Sequence, residues 1–268
     1  MMKDNKMKTT LMALISALMM TPALASAADA PATFTPAQQE AIGKIAADYL
    51  VQHPEVLVQA SQKLEAQQAA QQQQASLNAV LQNSDALLND PATPSIGPKT
   101  AKVALVEFFD YQCIYCSHMA PLIEQTVKAN PQVRFIFKEW PIFGQRWQPS
   151  ITAAETGMAV FKEKGAQAYF TYHNAIFHTG HNEGKLTEGD IQAAVKAAGA
   201  SQPDEATRNQ THEALSKVDD LARQLGFSGT PAFIVMPTQG ATAQNTTFLP
   251  GAISAESLQA AITKAQGK

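Results

Sequence analysis

The chain carries two cysteines, Cys113 and Cys116, both in the stretch "DYQCIYCSHMAP". A pair two residues apart can close a small structural bridge, supply half of a zinc site, or exchange disulfides with other thiols. A bridge over so short a loop removes little chain entropy, so stapling is a poor reason for it. A structural zinc site needs about four ligands, and only His118, His173, His178 and His181 could complete one. His178 and His181 stand in "HTGHNEG", a turn-rich stretch where a solvated loop is the default. No metal is expected, and the redox reading leads.

Exchange chemistry depends on where the pair sits. "VALVEFF", Val103 to Phe109, reads as a buried strand; Cys116 to Ala129 reads as a helix and "VRFIFK", Val133 to Lys138, as a second strand. Strand, helix and strand in close succession argue for a parallel pair with a crossover helix. Cys113 then lies at a helix start, facing unpaired backbone N–H groups and the positive end of the helix dipole. That position favours the thiolate and makes Cys113 the attacking and leaving sulfur. Cys116, one turn further in, is the expected resolving thiol, and Pro121 is expected to kink the helix.

From Pro149 to about Lys217 the pattern is helical with loops. "FIVM", Phe233 to Met236, returns as a strand after "GTP"; "TTFLPG" is a short final strand and turn, and Glu256 to Lys264 a closing helix. Ahead of the junction "NDPATPSIGPKT", residues 36 to 90 are rich in Ala, Gln and Leu and read as helices. Thr35-Pro36 looks like an N-cap followed by proline at the first helical position, and His53-Pro54 marks a break. Ile42, Ile45, Tyr49, Leu57 and Leu64 form apolar stripes, whereas "EAQQAAQQQQASL" has almost nothing large to bury. Two short amphipathic helices make no stable core alone, so these stripes are expected to bury against their own copies.

At the N-terminus, Lys3, Lys6 and Lys8 precede the apolar run Leu11 to Met20 and the small residues of "ALASAADA". This is the pattern of a secretory signal peptide, residues 1–27, too short to span a bilayer of about 30 Å. An exported, oxidising compartment follows. Removing the leader changes the net charge from −3 to −5, a poor balance for nucleic-acid binding. With 45% hydrophobic residues the chain can bury a full core.

"VEFFDYQCIYC", Pro121, the inserted helical block and "GTPAFIV" together resemble the DsbA-like branch of thioredoxin-fold disulfide oxidoreductases. The resemblance implies an α/β thioredoxin fold over residues 91–268 with a helical insertion at about 146–216; the residues ahead of it, 28–90, are expected from their composition to form an all-helical oligomerisation segment. It implies a cis Pro231 beside the cysteines, with Thr230 pairing to an extended substrate segment. It implies a buried acid at Glu107 that relays the proton of Cys116, with Lys138 as its partner; Asp110 is expected to be solvated. Where better-known oxidases carry Pro-His between the cysteines, this chain has Ile114-Tyr115, so no imidazolium holds the thiolate; these two residues are the expected client-facing pair.

The helical segment resembles the dimer- or trimer-forming extensions of DsbC-like and ScsC-like proteins. The expected activity is therefore formation or isomerisation of disulfides in secreted clients in the periplasm. A homodimer or homotrimer through residues 36–88 is expected, with a membrane redox partner of the DsbB or DsbD type and no cofactor beyond the redox-active disulfide. The competing reading is an oligomeric periplasmic chaperone or binding protein with only incidental redox activity, which has no need of a C-x-x-C at a helix start.

Overall fold

A computed structural model describes residues 34–267; the expected leader lies outside them. The chain divides into two compact units, with the boundary between Ser61 and Gln62. In the first unit, helix α1 (Pro36–Gln52) begins with a capping box in which Thr35 and Gln38 satisfy each other's backbone N–H groups, with proline in the first turn. It ends at His53, and α2 (Glu55–Gln82) starts just past Pro54. No residue of α1 is buried, and Ile45 and Val51 are 69% and 80% exposed.

The second unit holds the rest of α2, α3 (Ser84–Leu88) and a five-stranded sheet. Its strands are β1 (Ser95–Ile96), β2 (Val103–Phe109), β3 (Arg134–Glu139), β4 (Ala232–Pro237) and β5 (Thr247–Pro250), in the order β1-β3-β2-β4-β5. The pair β2–β3 is parallel, bridged by helix α4 (Ile114–Ala129), and the other three pairings are antiparallel. Helix α4 runs on through Pro121. The insertion is four helices, α5 (Pro149–Lys164), α6 (Ala166–His178), α7 (Glu188–Ala197) and α8 (Glu205–Gln224), longer at its end than expected; α9 (Ala255–Ala265) closes the chain.

Strand β2 is buried along its whole length, so alternate residues face two different cores. Val103, Leu105 and Phe109 pack with α4, α6, α7 and α9. Ala104, Val106 and Phe108 pack with α8 and with Val80, Leu87 and Leu88 of α2 and α3. The end of α2 and all of α3 therefore belong to the second unit. This moves the division from the expected residue 90 back into α2, because three large apolar side chains at 80–88 suffice to anchor an otherwise polar helix.

Candidate active site

Cys113 is the N-cap of α4: its Sγ accepts a hydrogen bond from the Cys116 N–H at 3.4 Å. The Cys113 thiol in turn reaches the Thr230 carbonyl at 3.4 Å. The Thr230-Pro231 bond is cis, and the Pro231 carbonyl accepts from the Gly251 N–H at 2.8 Å. Both cysteines are free thiols and buried. Hydrogen bonding from the Cys116 thiol outweighs the opposing effect of burial and, helped by the Cys116 and Tyr115 amides, brings Cys113 down to about 6. Burial pushes Cys116 the other way, well above the ordinary thiol range, and Cys113 adds to that. One thiol is ionised at neutral pH and its neighbour is not, which is the division of labour that exchange requires.

Between the sulfurs, Ile114 is half-buried and Tyr115 is 59% exposed. The Tyr115 ring meets His118 edge-on at 6.5 Å.

Glu107 lies on β2 among Phe137 and Phe233, its register partners on either side. It is buried, and its Oε2 has no hydrogen-bond partner among the described residues. Burial, reinforced by the nearby Cys113, raises its carboxyl to about 8. At neutral pH it is a neutral acid, coupled electrostatically to both sulfurs. Lys138 is not its partner. Phe137 is the residue of β3 that faces Glu107, and Lys138 pairs with Phe108, so strand alternation places Lys138 on the opposite face. There it is 1% exposed, and Nζ donates to the Ala86 carbonyl at 2.9 Å and Thr93 Oγ1 at 2.8 Å, and meets Asp90 Oδ2 at 3.4 Å.

The site also contains residues that the sequence did not assign to it. Asp110 is buried, not solvated: its carboxylate accepts from the Gln112 N–H at 2.7 Å, the Phe143 N–H at 2.9 Å and the Ser150 hydroxyl at 2.8 Å. Burial raises its carboxyl, and those hydrogen bonds oppose the rise. Gln112 is fully buried and binds the insertion, accepting from Glu183 N–H at 3.0 Å through its backbone and from Gly184 N–H at 2.8 Å through Oε1. Glu139, on the Glu107 face, accepts from the Tyr111 and Tyr169 hydroxyls at 3.0 and 2.8 Å. The period of two in "FKEW" was the available signal for Glu139; nothing in the sequence marks Gln112.

The four histidines weighed as ligands are dispersed in role. His173 is buried among aromatic rings and pushed down to about 3 by that burial, while His178 pairs with Glu124 and His181 with Asp190. Among the described residues no group of three or more His, Cys, Asp or Glu could hold a metal ion.

The chain is similar to known proteins. The thioredoxin family model matches residues 89–263, and the N-terminal domain of copper resistance protein ScsC matches residues 38–71. The crystal structure of Salmonella enterica Typhimurium BcfH is 41% identical, with TM-score 0.73 over 86% of this chain and 97% of that one. Proteus mirabilis ScsC in a transitional conformation is 29% identical, with TM-score 0.60 over 87% of this chain and 99% of its own. The thiol:disulfide interchange protein DsbA of Bordetella parapertussis is 28% identical over 160 residues, 54% of this chain and 68% of that protein. With the matched family spanning both cysteines and the sheet that carries them, the chain belongs to the thioredoxin family, among its DsbA- and ScsC-like thiol-disulfide oxidoreductases.

Proposed function

We propose that this chain is an exported, periplasmic enzyme that forms and isomerises disulfides in secreted proteins, with Cys113 as the reacting sulfur and Cys116 as the resolving one. The observation that carries this is the split within the pair, a Cys113 thiol at about 6 beside a Cys116 thiol held well above its usual value. In oxidation, a client thiolate attacks Sγ of Cys113 in the enzyme disulfide; the Cys113–Cys116 bond breaks and Cys116 leaves as a thiolate. Glu107, neutral at pH 7, supplies the proton that Cys116 takes up and regains one from solvent. A second client thiolate attacks the client sulfur of the mixed disulfide, the client disulfide forms, and Cys113 leaves as a stabilised thiolate. In isomerisation the Cys113 thiolate starts the exchange on a wrong client disulfide.

Thr230 and Pro231 line the place where an extended client segment would pair, with Ile114 and Tyr115 as its apolar neighbours. The exposed stripes of α1 and the start of α2 support self-association into a dimer or trimer, which holds several sites around one client. A membrane redox partner of the DsbB or DsbD type would restore the pair. The test is exchange with a reduced and a scrambled multi-disulfide client: Cys113→Ser should abolish both reactions and Cys116→Ser should accumulate mixed disulfides. Trapping by Cys113→Ser instead, or a Cys113 that titrates near the free-thiol value of about 8.5, would overturn the assignment.

A further inference from the structure

The loop that presents Thr230 hangs between α8 and β4, and its stem is short. Gly226 leaves α8 with φ of 70°, Phe227 is buried, and only Ser228 and Gly229 separate Phe227 from Thr230. Phe227 stacks on Phe248 with ring centroids 4.5 Å apart and meets Phe108 edge-on at 5.2 Å. Phe227, before the loop, and Ala232, after it, share one core with Val80, Leu87 and Leu88. The two flanks of the substrate loop are thus seated in a core that α2 and α3 help to build.

Contact with the stem is also direct. Gln72 Nε2 donates to the Gly226 carbonyl at 3.2 Å. The helix packs so near that a Cβ on Gly226 would stand 3.0 Å from Gln72 Nε2 and 3.5 Å from Ser76 Oγ. Ser76 itself is buried. The lysine bonds of Lys138 to the Ala86 carbonyl and to Thr93 fasten the same segment to β3, so it cannot shift independently of the sheet.

We infer that the base of the helical arm, Gln72 and Ser76 above all, positions the Thr230 loop for its client from outside the site, although it lies far from the cysteines in sequence. The arm's base acts through Gly226 and Phe227, whereas the residue that touches Cys113 is Thr230. The inference rests on the proposed role of Thr230 in pairing with an extended client segment. A shift of the loop should weaken that pairing while leaving the helix-start environment of Cys113 in place.

The experiment uses the full chain with two probes: a peptide carrying a mixed disulfide within an extended segment, turned over with reduced glutathione as the electron donor, and reduced dithiothreitol, which attacks the enzyme disulfide and needs no peptide pairing. Gln72→Ala should raise the peptide KM about threefold, as for one lost hydrogen bond, and Ser76→Leu about tenfold by pushing on the Gly226 turn. In both, kcat for the peptide and the rate at which dithiothreitol reduces the enzyme disulfide should stay within about twofold of wild type. Peptide KM unchanged in Gln72→Ala, or peptide and dithiothreitol reactions falling together, would overturn the inference. Gln72 sits on an exposed helix face, so its variant decides the matter even where Ser76→Leu fails to melt cooperatively. A wild-type protein that exchanges with dithiothreitol but shows no saturable peptide reaction would instead sink the client-pairing role of Thr230.

Discussion

Cys113 and Glu107 bind protons in opposite senses to their unfolded counterparts, and each leaves a signature in the stability of the reduced protein. Cys113 is lowered to about 6 from a reference of 9.0, so its contribution is present in full above the unfolded value and is lost as pH falls through about 6. Glu107 is raised to about 8 from 4.5; the native state holds that proton more tightly, so stability falls as pH rises between those values. Glu107→Gln should remove that decline, gaining roughly 1–3 kcal/mol on wild type between pH 5 and 8 in urea unfolding. The same change should slow release of Cys116 about tenfold at pH 7 in stopped-flow exchange. Stability differences that do not change with pH would show that Glu107 is not the group titrating. Lys138 belongs to the other face of the sheet, and Lys138→Ala should cost about 3 kcal/mol by leaving a buried cluster without its cation. It should leave the thiolate titration of Cys113, followed by ultraviolet absorbance, where it was.

At the level of elements, the decisive segment is residues 62–92. A fragment beginning at Thr93 lacks Val80, Leu87 and Leu88, each buried in the core beneath β2, at about 1.5–3 kcal/mol apiece. It also lacks Asp90 and the Ala86 carbonyl that Lys138 binds. Such a fragment should melt far below one beginning at Gln62, which keeps its core, and calorimetry on the two fragments measures the difference. The sequence carried most of the frame: the period of "VALVEFF" marks β2, "CIYC" before an amphipathic run marks the start of α4, and His53-Pro54 marks the break between α1 and α2. It failed where burial is decided by a neighbour. Polar residues 65–77 resemble a free helix, and nothing local reveals that Ser76 is covered. Asp110 resembles a solvated loop acid because its three donors come from Gln112, Phe143 and Ser150, two of them more than thirty residues away. Lys138 was legible in principle, since strand parity alone separates it from Glu107.

For the molecule as a whole, the unburied apolar side chains of α1 carry the proposed assembly. Ile42, Ile45 and Tyr49 are all exposed in the single chain, and a protein that buries them against its own copies should sediment as a dimer or trimer. Ile45→Glu with Tyr49→Glu should yield monomers. Those monomers should oxidise small dithiols at the wild-type rate and isomerise a scrambled multi-disulfide protein several-fold more slowly, because the second site is no longer held near the bound client. Sedimentation velocity and refolding of the scrambled protein, run on the same samples, test this; isomerisation undiminished in the monomer would remove the arm's assigned role.

The hydrogen bonds that Sγ of Cys113 accepts from the Cys116 thiol and amide also reach into electrochemistry. Reducing the pair takes up two electrons, but how many protons accompany them depends on whether Cys113 keeps one. Below about 6 both sulfurs end as thiols; above it only Cys116 does. Each proton contributes about 30 mV per pH unit to a two-electron couple, so the slope of potential against pH should halve near pH 6, from about 60 to about 30 mV. Ionisation of Glu107 near 8 would add curvature there, and Glu107→Gln should straighten it. The helix start is thus recorded in a voltage, readable without any client protein.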